Sequence, residues 1–233
     1  MFETEEELLK KLSIADLERA NMYAKDLCSG LQLVRSFPQG VTIFGSARLP
    51  QDHKYCQMAY ELGGLLAKNG HTVVTGGGPG IMEAVSHGAY EIGGRTVGLN
   101  ITLKHEQHPN PYLTDCLTFE YFFARKVSLA MAAKVFVFFP GGFGTMDELS
   151  EILCLMQESK MPRMPMFLIG KDYWQSFDKV IKKMLEIEVI GVDDPGIFRV
   201  TDDVSEVVAA ANKIGWPKIS ENFYDGFREA SKI

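Results

Sequence analysis

Two glycine-rich runs hold the residues whose types and spacing could do chemistry. One is Gly76-Gly77-Gly78-Pro79-Gly80-Ile81-Met82-Glu83; the other is Pro140-Gly141-Gly142-Phe143-Gly144-Thr145-Met146-Asp147-Glu148. Glycine adopts positive φ freely and lets a backbone approach a ligand closely. Where such a run opens a helix, free N–H groups and the positive end of the helix dipole make an anion site, most simply for phosphate. Gly45-Ser46-Ala47 is a third turn of this kind. Turn formation alone explains any one of them. Two strand-to-helix loops of this composition in one small sheet point to phosphate. The fifth residue after Gly76 is Ile81, so G-x-G-x-x-G fails, and no G-x-x-x-x-G-K-[ST] exists. That favours a mononucleotide or sugar phosphate over NAD or ATP.

Glu148 has two readings. Thr145-x-x-Glu148 spells a capping box, in which both side chains only satisfy orphan N–H groups at a helix start. Alternatively the carboxylate faces a reacting centre. Arg125-Lys126 lies on the preceding helix, and Arg125 reaches the same crevice only if that helix lies over the carboxyl edge of the sheet. The loop Glu106-Gln107-His108-Pro109-Asn110-Pro111-Tyr112 is dense in hydrogen-bonding groups, and a mobile surface loop is its plain reading. His105 and His108 lack partners at metal spacing, so no metal is expected.

The elements that must position these residues alternate. Residues 1–36 read as one or two amphipathic helices ending before Pro38 and Gly40. Strands follow at 41–45, 71–75, 95–100, 134–139, 166–169 and 198–201. Helices lie between them at 55–69, 80–92, 119–133, 145–158 and 173–188, with a last one at 204–213. Residues 101–118 read as an irregular loop. This order predicts an α/β fold, a Rossmann-like doubly wound parallel sheet with ligands outside the carboxyl ends of the strands. The expected division is an N-terminal helical extension (1–37), a nucleotide-binding and catalytic domain (38–213) and a C-terminal tail (214–233).

With 46% hydrophobic and 23% charged residues, the chain can bury one good core. A net charge of −6 makes nucleic acid an unexpected partner. No apolar run is long enough to span a membrane. The acidic start, Met1-Phe-Glu-Thr-Glu-Glu-Glu, is unlike a signal peptide, and a cytoplasmic location is expected. Cys28, Cys56, Cys116 and Cys154 form no CxxC and read as reduced, mostly buried thiols.

The paired runs resemble the signatures of the Lonely Guy (LOG) family. The second matches P-G-G-x-G-T-x-x-E without a mismatch, and Arg125-Lys126 stands at the family's place before it. The resemblance covers roughly residues 38–212. The 106–112 loop resembles the longer, bacterial subgroup, although Glu120 stands where a basic residue is expected. The resemblance implies hydrolysis of the N-glycosidic bond of a nucleoside 5′-monophosphate, AMP or a cytokinin riboside monophosphate, with no cofactor. It implies Arg125 and Glu148 as catalytic residues. It also implies a substrate and phosphate site of Gly45, Ser46, Gly77, Gly78, Gly80, Met82, Glu106, Lys126, Gly141, Gly142, Gly144 and Thr145. A homodimer or larger homo-oligomer is implied too. Chains of this kind are often labelled lysine decarboxylase, but no context for a pyridoxal-phosphate lysine is evident. The competing readings are a non-catalytic carrier of a nucleotide or molybdenum cofactor, which shares the glycine-rich architecture, and a structural or interaction protein.

Overall fold

The computed structural model describes residues 12–37, 40–103 and 108–214. After helix α1 (Ile14–Val34) the chain alternates: β1 (Gly40–Phe44), α2 (Lys54–Lys68), β2 (Thr72–Thr75), α3 (Ile81–Tyr90), β3 (Thr96–Ile101). It continues with β4 (Asp115–Phe119), α4 (Phe122–Met131), β5 (Val135–Phe138), α5 (Phe143–Gln157), β6 (Met166–Ile169) and α6 (Lys171–Glu186). A short 3₁₀ turn (Asp194–Ile197), β7 (Arg199–Thr201) and α7 (Ser205–Lys213) complete it. Seven strands form one sheet in the order β4-β3-β2-β1-β5-β6-β7, with every pair parallel. The order reverses between β1 and β5, which opens the crevice where ligands bind in such sheets.

The inner strands β1, β2, β3, β5 and β6 are buried on both faces, as parallel sheets favour. Their alternating side chains feed two cores. Phe44, Val74, Phe136, Phe138 and Leu168 pack with Ala124, Leu149, Ile152 and Trp174 under α4, α5 and α6. Val41, Ile43, Val73, Val137 and Ile169 pack with Leu62, Val85 and Val207 under α2, α3 and α7. Helices therefore cover both faces, and the doubly wound reading holds.

The structure corrects four expectations. Residues 115–119, read as loop and helix start, form edge strand β4, with Leu117 and Phe119 turned inward and Cys116 and Thr118 outward. Helix α4 consequently begins at Phe122, not Phe119. Helix α5 begins at Phe143 with Gly142 as its N-cap and no side-chain cap bond, so Thr145 and Glu148 form no capping box. A genuine capping box occurs instead at Ser13 and Asp16, at the head of α1. All four cysteines are free thiols, but Cys28, Cys116 and Cys154 are exposed and only Cys56 is buried. Among the described residues no helix is long and apolar enough to cross a membrane.

Candidate functional site

Three loops leave the carboxyl ends of β1, β2 and β5 side by side, and hydrogen bonds lace them together. Ser46 N–H donates to Pro140 O at 3.0 Å, and Ile81 N–H donates to Ser46 O at 3.0 Å. Gly80 has φ +67°, and a Cβ there would stand 2.3 Å from Ser46 O. Only glycine fits where the backbones approach so closely. The Ser46 hydroxyl is occupied locally, accepting from Arg48 N–H at 3.1 Å.

The 76–80 run is pinned from the other side. Asn110, 6% exposed, donates its side-chain N–H groups to Gly77 O and Gly78 O at 3.2 and 3.1 Å. Its backbone N–H reaches Gly77 O at 2.8 Å. The Thr75 hydroxyl accepts from Gly77 N–H at 3.0 Å. The loop after β3 is thus tied to the Gly-rich run, at least through Asn110.

Arg125 enters this crevice from α4. Its Nε donates to Leu99 O on β3 at 2.7 Å. A Cβ on Gly76 would meet its Nη2 at 2.2 Å and Met82 Sδ at 3.0 Å. Gly76 is therefore glycine because the guanidinium lies across it. Helix α4 does lie over the carboxyl edge, the condition on which Arg125's access depended.

Opposite stands Glu148, in the second turn of α5. Arg125 Nη1 lies 3.9 Å from Glu148 Oε1, and the two side chains are only 12% and 16% exposed. At that separation they attract without a direct hydrogen bond. Burial pushes the Glu148 carboxyl up to about 7; Arg125 and Lys126 oppose that rise, while Asp147 and Glu151 add to it. Burial likewise pulls Arg125 down against the pull of Glu148, but a guanidinium stays charged at ordinary pH. The site therefore holds a fixed cation beside a carboxyl poised near neutrality, a pattern typical of acid–base centres.

The turn Gly141-Gly142 leads directly into α5. The first N–H groups of that helix have no intrahelical partner and carry the positive end of its dipole. Gly142 and Gly144 have open space where a Cβ would stand, while at Gly141 it would meet the buried Thr145 side chain. These groups form an open cradle, suited by charge to an anion, one helical turn from Glu148.

The expected residues are thus distributed unevenly. Gly45, Ser46, Gly77, Gly78 and Gly80 build the floor. Met82, Arg125 and Glu148 meet over it, and Gly141, Gly142, Gly144 and Thr145 form the cradle. Lys126 turns along α5 instead, its ammonium 3.0 Å from Asp147 and 2.9 Å from Glu151. Glu106 lies outside the described residues. Glu120 accepts from the Thr102 hydroxyl at 3.0 Å. Sequence reasoning did not single out Gly76 or Asn110. Gly76 heads a glycine run, which was signal enough; Asn110 lies in the 106–112 loop, whose density of hydrogen-bonding groups was the signal.

A family model described as "possible lysine decarboxylase" matches residues 82–211. A probable cytokinin riboside 5′-monophosphate phosphoribohydrolase of Oryza sativa subsp. japonica is 28% identical over 163 residues, 69% of this chain and 65% of that protein. The chain thus spans just under two thirds of that relative. A cytokinin riboside 5′-monophosphate phosphoribohydrolase of Mycobacterium marinum is 31% identical over 134 residues, 57% of this chain and 70% of the relative. A pyrimidine/purine nucleotide 5′-monophosphate nucleosidase of Escherichia coli is 26% identical over 182 residues, 72% of this chain and 39% of its own. Among solved structures, TM1055 superposes with a TM-score of 0.57 at 27% identity, covering 76% of this chain and 99% of that one. A molybdenum cofactor carrier protein of Chlamydomonas reinhardtii gives 0.56 at 23% identity, over 75% of this chain and 96% of the carrier, a likeness of fold alone. With the family model matching more than half of its residues, and with P-G-G-x-G-T-x-x-E complete at the site, the chain belongs to the LOG family.

Proposed function

We propose that this protein hydrolyses the N-glycosidic bond of a nucleoside 5′-monophosphate, giving free base and ribose 5-phosphate. The observation that carries the reading is the enclosed Arg125–Glu148 pair beside an open helix-start anion cradle. The names of the rice, mycobacterial and E. coli relatives support the same class of substrate.

In this reading the 5′-phosphate sits on the N–H groups at the head of α5 and the Thr145 hydroxyl. The ribose then reaches back toward Glu148. As the C1′–N bond breaks, its electron pair leaves with the base and positive charge builds on the ribose ring. The ionised Glu148 stabilises that charge and takes a proton from the attacking water, whose oxygen bonds to C1′. The proton finally resides on the departed base. Arg125 holds the ribose or phosphate and, by its charge, draws Glu148 toward the ionised form. Glu148 is not spent on capping α5, which leaves it available for this work. Lys126, locked between Asp147 and Glu151, tunes the charge around Glu148 rather than gripping substrate.

Ribose 5-phosphate release should be assayed over AMP, GMP, CMP, UMP and N6-isopentenyl-AMP. Turnover of at least one supports the reading. Tight retention of a nucleotide without any product would make the protein a carrier instead.

A further inference from the structure

We propose that Tyr173, on a helix outside the glycine-rich runs, is a positioning residue that aims the phosphate cradle. This rests on reading Gly141–Thr145 as the phosphate site. The Tyr173 hydroxyl donates to Gly141 O at 2.6 Å, a short bond into the middle of the turn. A trans peptide is planar, so the N–H of Gly142 points opposite to the carbonyl of Gly141. Holding that carbonyl therefore fixes the direction in which the cradle presents its Gly142 N–H. Without the bond, two adjacent glycines let this peptide rotate with little steric resistance.

Tyr173 is itself held by its backbone and by its ring. Its backbone N–H donates to Asp172 Oδ1 at 3.1 Å. Its ring stands edge-on to Trp174, centroids 4.9 Å apart, and Trp174 is buried and donates its indole N–H to Ile169 O at 3.0 Å. Asp172 in turn accepts from the Tyr55 hydroxyl and pairs with Lys54. Gly170, at φ +106°, starts α6 so close to the β5 loop that a Cβ would stand 3.2 Å from Pro140 Cγ. The fold thus places a rigid hydroxyl against one flexible peptide of the cradle. A side chain that served only to pack α6 would need its ring on Trp174 but not its oxygen on Gly141.

Tyr173→Phe keeps the ring and removes the oxygen. Calorimetric titration with ribose 5-phosphate, compared with adenosine, reads the effect directly. Losing one neutral hydrogen bond that preorganises the site should weaken ribose 5-phosphate roughly 3- to 10-fold. Adenosine binding should be unchanged. In turnover the KM for AMP should rise by a similar factor, while kcat stays within about 2-fold. Unchanged ribose 5-phosphate affinity, or an equal loss for adenosine, overturns the proposal. If Tyr173→Phe does not fold, Tyr173→Leu removes the same oxygen while keeping apolar bulk beside Trp174, and a loss confined to ribose 5-phosphate is again required. A wild-type protein that binds ribose 5-phosphate without cleaving any nucleotide defeats the hydrolase reading but leaves Tyr173 to be judged on the binding ratio. A wild-type protein that binds no 5′-phosphate at all overturns both.

Discussion

Glu148 carries two opposite demands at the scale of a single residue. The proposed hydrolysis needs it ionised, while its enclosure between α4 and α5 favours the protonated form. With a carboxyl held up to about 7, the folded protein keeps a proton that the unfolded chain releases near its ordinary value of 4.5. The native state is therefore favoured below that value and loses this contribution as pH rises through about 7. Glu148→Gln removes the titration. Its melting temperature relative to wild type should climb between about pH 5 and about pH 8; a difference that stays flat would show that Glu148 does not titrate in this window. In the proposed mechanism the same group sets the chemistry. In wild type, kcat/KM for nucleotide should rise through an acid limb near 7, reporting ionisation in the free enzyme. An acid limb near the ordinary carboxylate value would contradict the burial argument.

Loops dominate at the scale of elements, and the Asn110 side chain ties two of them together. It satisfies two carbonyls of the Gly-rich run, Gly77 O and Gly78 O, and receives Tyr112 N–H at 3.2 Å. Asn110→Ala removes the side-chain donor to the buried Gly78 O, leaving Gly77 O only the backbone N–H of residue 110, which should cost about 1–3 kcal/mol in urea unfolding. A change below about 0.5 kcal/mol, the usual surface value, would mean that the run holds itself. The elements also show what the sequence could reveal. The alternation of strand and helix, the parallel sheet and the loops at its carboxyl edge were legible, because hydrophobic periodicity is a local property. Strand β4 was not: it has five residues, its Cys116 and Thr118 face solvent, and it follows a His-, Pro- and Asn-rich stretch. The start of α5 was misplaced for a physical reason too. The turn from β5 is tight enough that Phe143 and Gly144 are already helical, against the weak propensity of glycine. The Arg125–Glu148 contact could not be derived from periodicity or spacing, because it depends on where α4 crosses the sheet edge, a matter of tertiary packing. The matching family signature supplied what local physics left open.

At the scale of the whole molecule, α1 and α4 leave an apolar surface. The two helices are joined by Asp26, which accepts from Glu120 N–H and Tyr121 N–H at 2.9 and 3.0 Å, and by Tyr23 packed against Tyr121 and Phe123. Phe119, just before them, is fully buried in the core. Phe122, Phe123 and Val127 remain 56%, 45% and 38% exposed, as are Leu17 and Met22 of α1 at 48% and 50%. A second copy of the chain covering this face is our proposal for the assembly. Light scattering across micromolar concentrations should give at least the dimer mass, and Phe122→Ser with Val127→Ser should lower it; a wild-type monomer throughout would end the proposal. The central claim is that the whole fold converges on phosphate-anchored N-glycoside hydrolysis by Glu148. The most direct test measures ribose release from AMP and from adenosine by wild type and Glu148→Gln, with melting temperatures recorded on the same samples. The account predicts that wild type strongly prefers AMP, and that Glu148→Gln stays folded while kcat falls by roughly 10²–10⁴-fold. A folded variant that turns over AMP at the wild-type rate, or a wild type that cleaves adenosine as well as AMP, would contradict it.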